Sequence, residues 1–345
     1  FGLSGLPARI PREQTDACGV GEPYLPTPVT TVLGKSDVVL RGPQGQAISA
    51  PTAADLAGKG EGWYLDLPGN PLDPGCDYER WFDQASEGSA PTLYARAATD
   101  AEHPGVLVLQ YWFFWTYNDW NDKHEGDWEM VQLSFDADSA EEALTVAPTS
   151  VAFAQHEGSE TAAWTDSKLH KDGDHIAVYP GQGSHAAYYT QAQWFGKSAA
   201  AGFGCDNTLA QGVVVRPQIE VLPETGTQGA QWLDFTGRWG QKAPSFNNGP
   251  TGPTTKTQWE HPVSWQLEEG RPDAVALPTV GGPAVTGFCE LTEAGSLLFI
   301  QVLDRPAVVL GVLAVLLVLL IVGIARTDWF NDDDQELDRE RKAGQ

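Results

Sequence analysis

Basic residues are scarce in this chain, and methionine is almost absent. Its 345 residues include 21 Lys and Arg against 46 Asp and Glu, which gives a formal net charge of −25. A charge of this sign excludes electrostatic binding to nucleic acid and to anionic lipid surfaces. The chain begins at Phe1 and Met130 is its one methionine, a pattern that predicts a processed or truncated N-terminus.

Cysteine is also sparse, and no two cysteines are close together. The four are Cys18, Cys76, Cys205 and Cys289. Zinc ribbons and thioredoxin-like motifs need closely spaced pairs, so both are excluded. An even number fits two disulfides in an exported domain, with three connectivities that the sequence does not distinguish. We predict that all four are oxidised; four buried free thiols would require a cytosolic domain.

Charge is missing altogether from one stretch near the C-terminus. Pro306 to Ala325 has twenty residues without a charged side chain, about 30 Å of helix and enough to cross a bilayer. Basic residues are more frequent after the stretch than before it, which places the tail in the cytoplasm. We predict a single-pass cell-membrane protein with its N-terminal domain extracytoplasmic. The alternative is a buried core helix.

Long amphipathic helices are few, whereas short runs rich in β-branched and aromatic residues recur between Gly- and Pro-containing turns. This pattern predicts an all-β, antiparallel β-sandwich ectodomain with long loops. We expect a Pro/Gly-rich arm over residues 1–90 and the sandwich over 91–270. A linker and juxtamembrane segment at 271–304, the transmembrane helix at 305–326 and an acidic cytoplasmic tail at 327–345 complete the predicted organisation.

The stretch from Val106 to Phe135 carries the densest chemical signal. Two strand-like apolar runs flank a polar loop, with the sequence VLVLQYWFFWTYNDWNDKHEGDWEMVQLSF. Because side chains two apart share a face of a strand, Asp127 and Glu129 should point the same way, with Trp128 toward the core. His124 lies on the loop that leads into the second strand, and Asp119 lies where the first strand ends.

Carboxylates crowded in this way repel one another, so a proton or a cation is needed among them. We predict a metal site formed by Asp119, His124, Asp127 and Glu129, with Asp122 and Glu125 adding further acid. Oxygen-rich ligation with one imidazole suits a hard cation, Ca²⁺, Mg²⁺ or Mn²⁺, better than zinc. The alternative is a solvated loop in which the acids pair with Lys123 or cap backbone amides.

Two histidines stand at predicted strand edges, His156 and His185, and with Ser184 they are candidates for the periphery of the site. Each is equally well explained as a structural histidine. The turn PGQGSHA contains a GxGxxA pattern, but no βαβ context accompanies it, so dinucleotide binding is excluded. Ser184 is not in a GxSxG elbow, and HKDGDH (His170 to His175) reads as a solvated turn.

The strings YWFFWTYN, HEGDWE, AQHEG, YPGQGSHAAYY and DFTGRWG together resemble the vacuolar protein sorting-associated protein 62 family over roughly residues 92–265. The HEGDWE motif is also similar to the GHRHDWE heptapeptide of necrosis- and ethylene-inducing peptide-like cytolysins. That resemblance implies a β-sandwich with a divalent cation, in which His124, Asp127 and Glu129 take ligand positions and Asp119 that of an upstream aspartate. Gly126 replaces the second histidine of the heptapeptide.

Three functions follow from these features. The first is a membrane-anchored, divalent-cation-binding domain that binds an envelope glycan or lipid. The second is a metal-dependent hydrolase of phosphoesters or glycans, with Glu129 or Asp127 as general base and His185 or His156 as acid. The third is an accessory subunit of a larger membrane complex. The sequence favours binding over catalysis, since no nucleophile motif is present, but it does not decide whether the protein is an enzyme.

Overall fold

The computed structural model describes 8–11, 24–71, 74–156, 158–198, 202–209, 212–224, 226–227, 229–242, 248–268, 274–277 and 283–322. The chain forms two compact units, Phe1–Ser296 and Leu297–Gln345. All of the candidate site residues named above belong to the first unit.

The strands of the described chain are short apart from three near its middle. They are β1 Ala8–Pro11, β2 Val39–Arg41, β3 Ala47–Ser49, β4 Tyr64–Asp66, β5 Thr92–Asp100, β6 His103–Asn118, β7 His124–Asp136, β8 Ser150–Gln155, β9 Gly158–Ala163, β10 Lys171–Asp172, β11 His175–Ile176, β12 Tyr179–Pro180, β13 Ala187–Tyr188, β14 Gln193–Ser198, β15 Gly202–Asn207, β16 Gly212–Val215, β17 Gln218–Val221 and β18 Ala274–Ala276.

The helices are mostly single turns. They are α1 Ala53–Leu56, α2 Asp77–Ala85, α3 Ala140–Ala143, α4 Thr257–Glu260, α5 Trp265–Glu268 and α6 Pro283–Asp304, with 3₁₀ turns at Val29–Thr31, Gln231–Asp234 and Pro253–Thr255. Residues 306–322 are also helical.

A six-stranded sheet in the order β17-β5-β6-β7-β8-β9 forms the centre of the first unit. Strands β6 and β7 make its long hairpin, which is paired from Val106–Asp136 to Asn118–His124. Both strands are almost entirely buried. Burial on both faces explains why β6 reads as a continuous apolar and aromatic run rather than an alternating one.

An aromatic cluster fills the space on one side of this hairpin. Phe114 and Trp128 are cross-strand partners whose ring centroids lie 4.9 Å apart. Trp128 also packs against Trp232 and Trp239, at 5.6 and 5.3 Å. Tilted, stacked and edge-to-face rings at these distances add to the energy of apolar burial. The prediction that Trp128 points into the core is therefore confirmed.

The prediction of an all-β antiparallel sandwich is wrong, because the structure has mixed sheets and helices. Strand β17 pairs with β5 in parallel, so the main sheet is mixed. The next largest sheets of the described chain have three strands each, β3-β2-β4 and β15-β14-β18. Short β-rich runs indicate that strands are present, but they do not specify whether the strands pair into two facing sheets.

The prediction of a transmembrane helix at 305–326 is also wrong. Helix α6 ends at Asp304, and residues 306–322 form a further helical segment. Within the described residues, no helix is long and apolar enough to cross a membrane. The assignment to the cell membrane is corrected with it. The predicted acidic tail lies outside the described residues.

The prediction of oxidised cysteines is confirmed where the structure describes them. Cys205 of β15 and Cys289 of α6 form a disulfide that closes 84 residues of sequence. Cys76 is disulfide-bonded as well, and no cysteine among the described residues is free. Cys18 lies outside those residues.

Candidate functional site

The loop between β6 and β7 is a compact turn closed by its own side chains. The Asn118 Oδ1 accepts a hydrogen bond from the Trp120 N–H at 2.9 Å, and the Lys123 N–H donates to the Trp120 carbonyl at 2.9 Å. An asparagine that bonds two residues ahead starts a tight turn locally, without help from distant residues. The loop therefore brings Asp122 and His124 back over the end of the hairpin.

A break in strand pairing at Gly126 separates two neighbouring acids. The register runs through Trp115–Asp127 and resumes at Tyr117–Glu125, with no pair at the intervening position. Gly126 has φ +66°, and a Cβ there would lie 2.3 Å from the Trp239 carbonyl oxygen. Glycine is needed for both the backbone angle and this close approach. Strict alternation would give Glu125 and Asp127 the same surroundings, whereas they have different ones.

Glu125 is fully buried and bonded to three neutral donors. Its carboxylate accepts the backbone N–H groups of Leu67 at 3.0 Å and Gln241 at 2.8 Å, and the Tyr78 hydroxyl at 2.7 Å. Burial raises the pKa of Glu125 to about 7, and these three hydrogen bonds limit the increase. Glu125 thus ties two distant loops to the hairpin.

Asp127 has an imidazole as its partner. The His185 Nδ1–H donates to the Asp127 Oδ2 at 2.9 Å, and the His185 ring stacks on Trp115 with centroids 4.1 Å apart. Burial alone would raise the pKa of Asp127, but the hydrogen bond and charge of His185, with the charges of His124 and Lys256, hold it below its usual value. Asp127 is therefore the ionised member of the site.

Two further acids next to Asp127 have raised pKa values. Burial, and then the charge of Asp127, raise the pKa of Glu129 to about 8, against the opposing charges of Lys256 and two histidines. Burial also raises the pKa of Asp122, against the charges of His124 and His156. The three carboxylates therefore act on one another in a single electrostatic cluster, in which Asp127 is ionised.

His156 forms a second carboxylate–imidazole pair on the other side of this cluster. Its Nε2–H donates to the Asp206 Oδ2 at 2.8 Å, and its ring lies 4.5 Å from the ring of Trp120. Burial would lower the pKa of His156, but Asp206 outweighs it and raises the pKa to about 9. His156 is thus a buried cation held against a buried anion.

Backbone strain is concentrated in the same place. Four non-glycine residues of the described chain have positive φ, and three of them belong to this region: Lys123 at +21°, His156 at +49° and His185 at +58°. Side chains with a Cβ avoid these angles, so such residues persist only where the surrounding structure holds them. Both histidines of the predicted periphery are among them, so the strain lies where the sequence predicted the site.

The predicted site residues differ in their surroundings. Asp119 is exposed and forms an ion pair with Lys123. The His124 Nδ1–H donates to the Gly126 carbonyl at 2.8 Å, and its Nε2 lies 3.8 Å from the Asp122 carboxylate. In the part of the chain that the structure describes, no group of three or more His, Cys, Asp or Glu side chains is positioned to hold a metal ion. The metal site remains a prediction.

Two residues that act on the site escaped the sequence reasoning. Asp206 lies on β15 and Lys256 follows the 3₁₀ turn Pro253–Thr255, both at least 70 residues from the hairpin. No spacing pattern connects them to the hairpin. His156 and Ser184, which the sequence named as candidates for the periphery, both bond the Asp206 carboxylate. This shared partner is visible only in the fold.

No family model and no curated protein matches the chain, so the resemblance to the vacuolar protein sorting-associated protein 62 family gains no support. Solved structures of necrosis- and ethylene-inducing proteins are similar to it at low identity. NLPPya in complex with mannosamine is 16% identical, with a TM-score of 0.32, over 50% of this chain and 67% of that one. A structure described as a toxin fold for microbial attack and plant defense is 12% identical, with a TM-score of 0.34, over 77% and 86%.

The match to NLPPya in complex with glucosamine is 15% identical, with a TM-score of 0.26, and spans about half of that protein, 49% of its length against 38% of this chain. Likenesses of this extent carry no inference about the site of the present chain. The site is therefore interpreted from its own geometry.

Proposed function

We propose that the chain is a ligand-binding domain and that the cluster around Asp127 is its site, with a hard divalent cation as cofactor. The observation that supports this proposal is that the charge of buried Asp127 acts on both Asp122 and Glu129 at the end of the β6–β7 hairpin, and that burial raises the pKa of both. Ionising either of them beside Asp127 is costly unless further positive charge is present. Ca²⁺ or Mg²⁺ supplies that charge.

The ligand atoms at the site are of the type that such an ion prefers, but their present positions do not surround an ion. Carboxylate oxygens are the ligands that Ca²⁺ and Mg²⁺ prefer, and thiolates, which favour zinc, are absent from this cluster. Asp127 and Glu129 would hold the ion, with His124 beside them, and Asp119 would join after release from Lys123. The Asp127 oxygens are at present bonded to His185 and to the Trp128 N–H, so binding requires side-chain movement.

A polyhydroxylated molecule, such as a glycan, is the ligand class that we infer for this site. An ion held by a few protein oxygens keeps coordination positions that hydroxyl oxygens fill. Aromatic stacking does not add to this interpretation, since the tryptophans at the site are buried and contact histidine rings. The accessory-subunit hypothesis rested on the membrane span and on the Pro-rich arm, and it loses the first of these.

Calorimetric titration of the chain with Ca²⁺, Mg²⁺ and Zn²⁺ tests this proposal. We expect Ca²⁺ or Mg²⁺ to bind and to stabilise the fold by about 2.7 kcal/mol at one hundred times Kd. Asp127→Asn, which removes charge with little change of volume, should weaken binding at least tenfold. Asp172→Asn is the matched control, because Asp172, on β10, is exposed and forms an ion pair with Arg216.

Equal affinity in the Asp127→Asn and Asp172→Asn variants would contradict the assignment of the site, and unchanged melting in both ions would contradict the cofactor. Glycan binding is measured next, with and without the ion. Ion-dependent retention of an oligosaccharide by the wild type, lost in Asp127→Asn, is the expected result.

Hydrolysis is the second candidate, and the Asp127–His185 pair favours it. A carboxylate that orients an imidazole is a common general-base arrangement, and Glu129, whose pKa is raised to about 8, is protonated at neutral pH and able to donate a proton. Turnover of a phosphoester or glycoside that is lost in Asp127→Asn would make this reading correct and would replace the binding proposal.

A further inference from the structure

Strand β15 supports the site from outside the main sheet. The Phe203 carbonyl accepts the Asn121 Nδ2–H at 2.8 Å, and the Cys205 carbonyl accepts the Trp120 indole N–H at 3.1 Å. The Asn207 carbonyl accepts the Gln182 N–H at 3.0 Å. Three consecutive outward groups of one strand therefore hold both the β6–β7 loop and the turn that precedes His185.

The carboxylate of Asp206, which lies between Cys205 and Asn207 on the same strand, has no solvent exposure. It accepts hydrogen bonds from three side chains: the His156 Nε2–H at 2.8 Å, the Tyr188 hydroxyl at 2.5 Å and the Ser184 hydroxyl. A fully buried carboxylate is costly, and it persists here because each oxygen is bonded and one partner is cationic. Asp206 thereby fixes His156 and the 181–185 turn relative to each other.

The strand that carries Asp206 is itself anchored. Cys205, the preceding residue, forms the disulfide with Cys289, and the Ser296 hydroxyl donates to the Phe203 carbonyl at 2.5 Å. A Cβ at Gly204 would lie 2.3 Å from the Trp120 ring, so strand and loop are in close contact. The position of Asp206 is therefore set by covalent and packing constraints, which suits a residue that positions others.

We propose that Asp206 is a positioning residue for the acid–histidine site: by holding His156 and the Ser184–His185 turn, it sets the imidazoles that face Asp127 and Glu129. This inference rests on the proposed function where it concerns affinity, but its geometric part is independent of any ligand. Asp206 reaches Asp127 only through His156 and the turn that carries His185.

The test uses Asp206→Asn in the full chain, with Asp172→Asn as control. The first measurement is the ¹⁵N-histidine side-chain spectrum without added metal. We expect the His156 Nε2–H, assigned with His156→Gln, to lose its slow exchange with solvent, and the His124 and His185 resonances to shift. Wild-type positions for all three resonances would overturn the inference, as would a change confined to His156.

The second measurement is Ca²⁺ and Mg²⁺ affinity by calorimetry. We expect Asp206→Asn to weaken binding about tenfold and Asp172→Asn to change it less than twofold. A wild-type affinity in Asp206→Asn would overturn the link to binding. If the wild type binds neither ion, the proposed function fails, and the positioning role is decided by the histidine spectrum alone.

Because Asp206 is buried and charged, its variant is at risk of unfolding, so a milder change accompanies it. Tyr188→Phe keeps the ring and removes one of the three donors to Asp206. We expect shifts of the same resonances in the same direction and a two- to threefold loss of affinity. An unchanged His156 signal together with unchanged His124 and His185 signals in this variant would count against Asp206 as well.

Discussion

Glu125 and Asp127 are two buried carboxylates two residues apart on one strand, and they behave in opposite ways. Neutral donors surround Glu125, and its pKa is raised to about 7. An imidazole and further positive charges surround Asp127, and its pKa is lowered. Burial acts in the same direction on both, so the charge of the partner decides the protonation state.

The comparison separates a structural acid from a site acid. Glu125 bonds backbone groups of loops that are far from the cluster, and nothing about it requires a ligand. Asp127 bonds a strained histidine and is flanked by two acids that favour protonation. Changes at Glu125 should therefore affect stability first, and changes at Asp127 should affect binding first.

Glu125→Ala should give the largest loss of stability. It removes the acceptor of two buried backbone N–H groups and of the Tyr78 hydroxyl, and each unsatisfied group costs roughly 1–3 kcal/mol. We expect the free energy of unfolding to fall by about 5 kcal/mol, measured by denaturant titration. The control is Tyr78→Phe, which removes one hydroxyl donor and leaves no unsatisfied donor behind. It should lower the free energy of unfolding by about 1 kcal/mol. A similar loss in both variants would show that Glu125 is not the anchor of these loops.

Gly126→Ala should lower stability by less than Glu125→Ala. It would also disturb the break in strand pairing that gives Glu125 and Asp127 different surroundings. Alanine would have to adopt the left-handed backbone conformation of Gly126, and its Cβ would clash with the Trp239 carbonyl. We therefore expect the free energy of unfolding to fall by about 3–4 kcal/mol. Gly173→Ala is the control, since Gly173 also has positive φ but nothing lies near its Cβ. A loss at Gly126 no larger than at Gly173 would mean that the contact with Trp239 does not constrain the strand.

The smallest expected effect is the pH dependence of stability, which has opposite signs for Glu125 and Asp127. Between its ordinary pKa of 4.5 and about 7, Glu125 binds more protons in the folded than in the unfolded state, so stability falls as pH rises, by no more than about 3 kcal/mol. Glu129 extends the fall toward pH 8. Asp127 has the opposite sign, and its contribution is lost only as pH falls below about 4.

Unfolding free energies of the wild type and of Glu125→Gln, measured from pH 4.5 to 8, test this expectation. The variant should lose the part of the slope below pH 7 that Glu125 contributes and keep the slope that Glu129 contributes up to about pH 8. A parallel pair of curves would show that Glu125 is ionised in the folded chain throughout this range.

Sequence reasoning identified the hairpin and the inward Trp128, because alternation is a local property of a strand. It also selected His156 and His185, which bond the carboxylates of Asp206 and Asp127. It did not separate Glu125 from Asp127, since the break at Gly126 depends on the Trp239 carbonyl, more than 100 residues away. Asp206 and Lys256 were missed for the same reason.

The prediction of the fold class was wrong for a different reason. Counting short strands does not reveal which of them share a sheet, and the parallel pairing of β17 with β5 has no sequence signature over four residues. The apolar stretch after Arg305 predicted a membrane span, whereas no helix among the described residues is long and apolar enough to cross a membrane. Periodicity identifies elements well, whereas their assembly depends on contacts that no single window contains.

The Cys205–Cys289 disulfide also has a consequence for the order of events during synthesis. The β6–β7 hairpin leaves the ribosome about 150 residues before Cys289, an interval of roughly 8–30 s at ordinary rates of translation. Until Cys289 emerges, β15 lacks its covalent anchor, although the β6–β7 hairpin has already been synthesised. Maturation of the site is therefore expected to follow oxidation rather than the formation of the sheet.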